Sequence, residues 1–130
     1  SICLVYLSCQ TMQIKLDKTD STVVKSNETY DVIDNTSLNK LIVSKTVLHP
    51  GKETSGHNHS GQEEVYIFTH GSGKMIVGEE TFIVHGQDTG RKGSIILIPD
   101  GAFHKVWNTS PYKANDDLEF ICVFDGGRNH

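Results

Sequence analysis

Two histidines one residue apart, His57 and His59, have the residue types and spacing to bind a metal. They lie in the stretch HPGKETSGHNHSGQEEVY, residues 49–66, which also contains Glu63 and Glu64. Side chains two residues apart point the same way in an extended segment, so both imidazoles would face one point if this segment is extended. Imidazole nitrogens joined by a carboxylate oxygen suit divalent transition metals. The stretch therefore indicates a metal site, with solvated loop histidines as the alternative.

Two neighbouring glutamates compete to supply the carboxylate. Glu64 follows His59 by five residues, across a glycine that allows the chain to turn into the next strand. Tyr66 shares the face of Glu64 in that strand, and Glu63 is expected on the other face. Tyr66 is thus the candidate for a catalytic group beside the metal, unless its ring only lines a cavity.

A third histidine, His104, follows a second apolar segment and a turn. Residues Ile95 to Ile98 form a continuous apolar run that is expected to lie in the interior. Pro99 to Gly101 then end the strand and reverse the chain. The next strand could therefore bring His104 to the same metal as a further ligand.

Short strand-like segments separated by turn residues must position these side chains. No stretch keeps a 3.6-residue apolar period over three turns, so helices should be few and short. The pattern predicts an all-β sandwich or barrel. The eight predicted strands are STVV, KLIVSKTVL, EEVYIFTH, GKMIVG, TFIVH, SIILIP, AFHKVW and LEFICVF.

Two segments, residues 51–71 and 93–108, resemble the two signature motifs of the cupin superfamily. All ten fixed positions of the motifs are matched in order and with permitted spacing. Ser94 stands where many cupins have aspartate, and residues 85–93 form a longer connection than usual. The matched residues are Gly51, His57, His59, Glu64 and Gly71 in the first motif, and Gly93, Pro99, Gly101, His104 and Asn108 in the second.

The resemblance implies a cupin-type jelly-roll β-barrel of two packed antiparallel sheets. It implies one divalent transition metal ion (Mn, Fe, Ni, Zn or Co) bound by His57, His59, Glu64 and His104. Open coordination positions would admit water, substrate or dioxygen.

For the activity, the resemblance favours a metal-dependent isomerase, tautomerase or lyase acting on a small sugar, sugar phosphate or polar organic acid. Tyr66 would be its catalytic residue. One alternative is a non-haem iron dioxygenase or oxalate-type cupin, and another is a non-catalytic cupin that binds or senses a small ligand. Lys45 and Lys74 lie within strands, where each could face an anionic substrate or the outer surface.

Composition and charge limit the classes of partner that this chain is expected to bind. Twelve basic and sixteen acidic residues give a net charge of −4 with no basic stripe, so we expect no nucleic acid partner. Residues 1–11 are apolar but lack a basic leader and are too short to span a bilayer, so no membrane association is expected. We predict that they are an extension outside the core and that residues 12–130 form a single cupin domain.

Three scattered cysteines without a CxxC pair favour reduced thiols and a cytoplasmic location. The resemblance also implies a homodimer, because small single-domain cupins are more often dimers than monomers and an open sandwich edge can pair with a second copy.

Overall fold

The computed structural model describes residues 13–111 and 116–126, and within these ranges it contains nine strands and one short 3-10 turn. The predicted extension, residues 1–11, lies outside the described residues. The 3-10 turn covers Gln87–Thr89. The strands are β1 (Thr22–Ser26), β2 (Tyr30–Asn35), β3 (Leu41–Leu48), β4 (Glu64–His70), β5 (Ser72–Val77), β6 (Glu80–His85), β7 (Ile95–Ile98), β8 (His104–Trp107) and β9 (Leu118–Asp125).

The strands form two antiparallel sheets. The larger sheet has the order β1-β2-β3-β9-β4-β7, and the smaller sheet has the order β6-β5-β8. Strands distant in sequence are neighbours in space, as in the pairing of β3 and β4 with β9. The prediction of a jelly roll of two packed antiparallel sheets with few helices is confirmed, although in the described residues the sheets do not close into a continuous barrel.

The core lies between the sheets, where the period-2 alternation of each strand directs one set of side chains inward. Phe68, Met75, Val106 and Phe120 are among its members, each at most 2% exposed. Complete burial of side chains of this size contributes roughly 1.5–3 kcal/mol each. On the larger sheet, other inward positions carry the polar side chains of Ser44, Thr46 and Glu64, so this sheet contributes to both the core and the site.

Two expectations about strands were wrong. β2 was missed, because its sequence YDVIDN mixes apolar residues with aspartates that are depleted in strands. The run Ile95–Ile98 is not continuously buried, since Ile95 is 57% and Leu97 is 70% exposed. These residues lie in β7 at the edge of the larger sheet, and only Ile96 and Ile98 point into the core.

Gly73 is a position where the fold requires the absence of a side chain. A Cβ there would overlap the carbonyl oxygen of Trp107 and a methyl group of Leu118. The missing side chain allows β8, the strand of His104, to lie close against β5.

In the described part of the chain, no helix has the length and apolarity needed to cross a membrane.

Candidate metal centre

His104 is the most deeply buried polar side chain of the site, at 2% exposure, and it opens β8. Its Nδ1 lies 3.0 Å from the carbonyl oxygen of Ala102. A carbonyl oxygen can only accept, so Nδ1 carries a proton and donates. In the neutral ring, Nε2 therefore presents a lone pair, and this buried atom has no hydrogen-bond partner among the residues that the structure describes.

Glu64 opens β4 on the inner face of the larger sheet and is 8% exposed. Its Oε2 lies 3.0 Å from Nε2 of His104. Burial by itself would raise the pKa of Glu64. A protonated His104 would donate a hydrogen bond to it, and this bond together with the charges of His104, His57 and His59 outweighs burial, so the pKa of Glu64 is lowered. The carboxylate is therefore ionised at neutral pH.

When Nε2 of His104 carries no proton, its contact with the Glu64 carboxylate places two hydrogen-bond acceptors side by side. This contact is favourable only if a cation lies between the two atoms. A proton on Nε2 is one such cation, and the neighbouring Glu64 does raise the pKa of His104 although burial opposes this. A metal ion is the other. A lone-pair nitrogen whose second ring nitrogen donates to a backbone carbonyl is the usual state of a metal-binding histidine.

His57 lies in the connection between β3 and β4, and its backbone pairs with that of His104. The His57 amide donates to the His104 carbonyl at 3.1 Å, and the His104 amide donates to the His57 carbonyl at 2.9 Å. The two ring centroids lie 4.4 Å apart. Burial, then the charges of His104 and His59, lower the pKa of His57, which favours the neutral imidazole that a metal requires.

One nitrogen or oxygen atom from each of His57, Glu64 and His104 lies within 4.8 Å of the others. Metal–ligand bonds of about 2.0–2.2 Å place two ligand atoms of one ion at most about 4.4 Å apart. The spacing in the structure is close to this limit, and the donor types match a borderline divalent ion. These residues fit a metal.

His59 lies beside this group but outside the closest set. Its ring centroid is 4.6 Å from that of His57 and 6.5 Å from that of His104. The His59 carbonyl accepts from the Gly101 amide at 3.0 Å, and Asp100 Oδ1 accepts from the Gly61 amide at 2.5 Å. The turn after β7 therefore holds the loop that carries the two histidines.

The segment of His57 and His59 is not a continuous strand, so strand alternation alone does not bring these rings together. Of the four predicted ligands, the structure groups three closely and places His59 next to them. Glu63 is exposed while Glu64 is buried, as expected from alternation.

Tyr66 lies on the inner face of β4, two residues after Glu64, and is 7% exposed. Its ring stacks on Phe120 at 5.0 Å and meets the His104 ring edge-on at 5.7 Å. Burial, together with Cys122 and Glu64, raises the pKa of Tyr66 well above its usual value. The phenol is therefore protonated at neutral pH, and its catalytic role stays a prediction.

A cavity of about 350 Å³ opens beside these residues on the inner face of the larger sheet. Two of its residues, Lys25 and Tyr30, were not singled out from the sequence. Its lining comprises Val24, Lys25, Tyr30, Val32, Ser44, Thr46, Thr54, Ser55, His57, His59, Gln62, Glu64, Tyr66, Phe120, Cys122 and Phe124.

The two lysines considered from the sequence do not line this cavity. Lys45 Nζ pairs with Glu119 at 3.1 Å, and Lys74 Nζ lies 4.5 Å from the centre of the Trp107 ring. The sequence does not identify Lys25 as the lysine that lines the cavity, because its orientation depends on an irregularity in β1 that has no sequence signal.

The jelly-roll fold and a histidine–carboxylate cluster on its inner face define a protein of the cupin class. Comparison with known families agrees, since the profile of the family described as the cupin domain matches residues 44–124. The chain belongs to the cupin family.

Solved structures with the same fold include KdgF from Halomonas sp., at 12% identity and a TM-score of 0.69, with 91% of this chain and 97% of that chain covered. A predicted oxalate decarboxylase from Thermotoga maritima is 20% identical with a TM-score of 0.65, covering 88% and 98%. A Klebsiella pneumoniae protein with a double-stranded β-helix domain is 19% identical with a TM-score of 0.70, covering 93% and 95%. No curated protein sequence matches this chain.

Proposed function

We propose that this protein is a divalent-metal-dependent cupin enzyme of the isomerase, tautomerase or lyase type, acting on a small sugar, sugar phosphate or polar organic acid. The grouping of donor atoms from His57, Glu64 and His104 within 4.8 Å of one another carries the proposal, because one divalent ion can bind all three, whereas a proton between His104 Nε2 and Glu64 joins only two of them. His57, Glu64 and His104 would hold the ion, with His59 beside them. A bound divalent ion would polarise a substrate carbonyl or acidify water.

The residues around the cluster set the conditions for proton transfer. Because Tyr66 is protonated at neutral pH, we propose that its hydroxyl donates a hydrogen bond or a proton to the substrate. Ser44 and Thr46 add hydroxyl groups to the cavity wall. A cavity of about 350 Å³ holds the volume of about a dozen water molecules, so the substrate is small.

A dioxygenase or oxalate-type reaction is the second candidate. The Thermotoga maritima structure described as a predicted oxalate decarboxylase shares the fold over 88% of this chain. A ligand set of histidines and a carboxylate also suits iron in oxygen chemistry. Non-catalytic ligand binding is the third reading of the same cavity.

A substrate screen separates these functions. Metal-loaded and chelator-treated protein would be incubated with sugars, sugar phosphates and polar organic acids, in air and under strict anaerobiosis. We expect turnover that requires metal and continues without oxygen. Turnover only in air would select the dioxygenase, and binding without turnover of any substrate would contradict the enzyme proposal.

A matched pair of variants adds a test of Tyr66. Tyr66→Phe removes only the hydroxyl and should lower the rate at least about tenfold with unchanged metal content. His70→Ala, an exposed position outside the cavity, is the control and should keep the wild-type rate.

We also propose that the protein is a homodimer joined through β7, the edge strand of the larger sheet, and the apolar side chains on the outer face beside it. Leu97 lies opposite Val65 and Ile95 lies opposite Ile67 on this face, beside the edge of β7 that pairs with no other described strand. Two copies of an edge strand can pair antiparallel about a twofold axis, which would pair the backbone groups along that edge and bring the apolar side chains of the two copies into contact.

Light scattering during size-exclusion chromatography tests the dimer. We expect twice the mass of the chain for wild type and a monomer for Leu97→Glu. Ile83→Glu is the matched control, because Ile83 is 68% exposed but lies in the smaller sheet. A monomeric wild type, or dissociation by Ile83→Glu alone, would contradict this interface. The cytoplasmic location stays a prediction.

A further inference from the structure

A β-bulge in β1 turns a lysine towards the cavity. Val23 pairs with Ile33 in β2, but the next pair joins Lys25 to Val32, which leaves Val24 as an extra residue. Without this extra residue, Val24 would stand opposite Val32 and Lys25 would point away. Bulges redirect side chains in this way and are frequent beside functional sites.

The redirected Lys25 contacts a tyrosine. Its Nζ lies 3.3 Å from the Tyr30 hydroxyl and 5.5 Å from the centre of the Tyr30 ring. Both side chains line the cavity that also contains His57 and Glu64. In the described residues, no carboxylate lies within ion-pair distance of Lys25 Nζ, whereas Lys45 and Lys105 each pair with a glutamate.

The position of Lys25 relative to the metal ligands suggests what it binds. β1 and β4 are separated by three strands in the larger sheet, so Lys25 and Glu64 approach the cavity from different sides. A small molecule in the cavity can therefore contact a metal held by His57, Glu64 and His104 with one part and the ammonium group of Lys25 with another.

We propose that Lys25, supported by the Tyr30 hydroxyl, binds an anionic group of the substrate, so that the substrate is a small carboxylate or phosphate compound and not a neutral sugar. This inference rests on the proposed function, since it assigns a substrate class to the same cavity. A carboxylate or a phosphate accepts charged hydrogen bonds from a lysine ammonium, and a tyrosine hydroxyl supplies a further donor.

Matched probes test the inference by calorimetric titration. Glucose, glucuronate and glucose 6-phosphate share a sugar ring and differ at one end as neutral, carboxylate and phosphate compounds. Each is titrated into wild type, Lys25→Met, Lys25→Arg and Lys40→Met. Lys40 is an exposed loop lysine outside the cavity, so Lys40→Met controls for the loss of one positive charge.

We expect wild type to bind at least one anionic probe about tenfold or more tightly than glucose. Lys25→Met should remove this preference, Lys25→Arg should retain most of it, and Lys40→Met should behave as wild type. The preferred anion distinguishes a carboxylate from a phosphate substrate. Anionic probes that bind wild type no more tightly than glucose, or a preference retained in Lys25→Met, would overturn the inference.

The metal content of the same samples separates this inference from the proposed function. Metal-loaded protein whose preference for anions is unchanged in Lys25→Met contradicts the role of Lys25 alone. A wild type without metal that loses anion binding in Lys25→Met contradicts the metal-dependent function alone.

Discussion

The candidate ligands come from two regions that are held in different ways. Glu64 and His104 open strands, lie below 10% exposure and are fixed by sheet pairing. His57 and His59 lie in the loop between β3 and β4, held by one backbone pair with His104 and by the turn after β7. The strand-borne half of the site is therefore formed together with the core, and the loop-borne half depends on a few hydrogen bonds.

Substitution of the strand-borne residues Glu64 and His104 should have the largest effect on metal affinity. His104→Ala and Glu64→Gln should each weaken metal binding by more than about 100-fold, because changes to residues that merely orient ligands already cost 10–100-fold. Metal affinity is measured by competition with a chromophoric chelator. His85→Ala, outside the cavity, should bind metal as wild type does. Wild-type affinity in both site variants would show that the strands do not supply the ligands.

Substitution of the two loop histidines, His57 and His59, should lower metal affinity to different extents. His57→Ala should approach the loss seen for His104→Ala, because His57 belongs to the closest set. His59→Ala should weaken metal binding less, by about tenfold, because its ring lies farther from His104. The same chelator competition provides the measurement. Equal losses for both variants would show that metal binding draws His59 in as a full ligand.

Glycines in the two regions should differ in their effect on stability. Gly73→Ala forces a Cβ against the backbone of β8 and should cost about 3 kcal/mol in the free energy of unfolding. Gly61→Ala in the ligand loop has open space, and only its positive φ of 82° opposes the substitution, at about 1 kcal/mol. Urea unfolding measures both. A larger loss for Gly61→Ala would mean that the loop, and not the sheet, limits stability.

The smallest effect concerns an exposed histidine–carboxylate pair, which contrasts with the buried pair of His104 and Glu64. The hydrogen bond with Asp88 raises the pKa of His70 above its usual 6.5, and the same bond lowers the pKa of Asp88 below its usual 3.8. Asp88→Asn should return the His70 pKa towards its usual value, as measured by NMR titration of the ring protons.

The pair should also give a small pH dependence of stability. A raised histidine pKa stabilises the fold below pH 6.5, and this contribution is lost as pH rises through the folded-state pKa. The lowered pKa of Asp88 contributes only above pH 3.8. The difference between wild type and Asp88→Asn should be largest between these values and shrink in alkaline solution, where only the backbone hydrogen bonds of Asp88 remain. A difference that is no smaller at pH 9 than at pH 5.5 would contradict this assignment.

The sequence predicted those features that depend on residue type and alternation. The face shared by Glu64 and Tyr66 follows from the two-residue period, and the resemblance to cupins placed His104 near them. Asn108, a matched position of the second motif, has a structural role, since its Nδ2 donates to the carbonyls of Leu48 and Asp116.

Features that depend on strand register and tertiary packing were not predictable. The bulge that turns Lys25 inward exists only in the register of β1 against β2. The exposure of Leu97 follows from the position of β7 at the sheet edge, which an apolar run does not reveal. The distances that separate His59 from the three closest ligand residues likewise depend on the tertiary fold.

The central claim, that the histidine–carboxylate cluster holds a metal, is tested most directly by elemental analysis of protein purified without added metal. We predict about one divalent transition metal ion per chain in wild type and nearly none in the His57→Ala/His104→Ala double variant. A folded wild type that carries no more metal than the folded double variant would contradict the account.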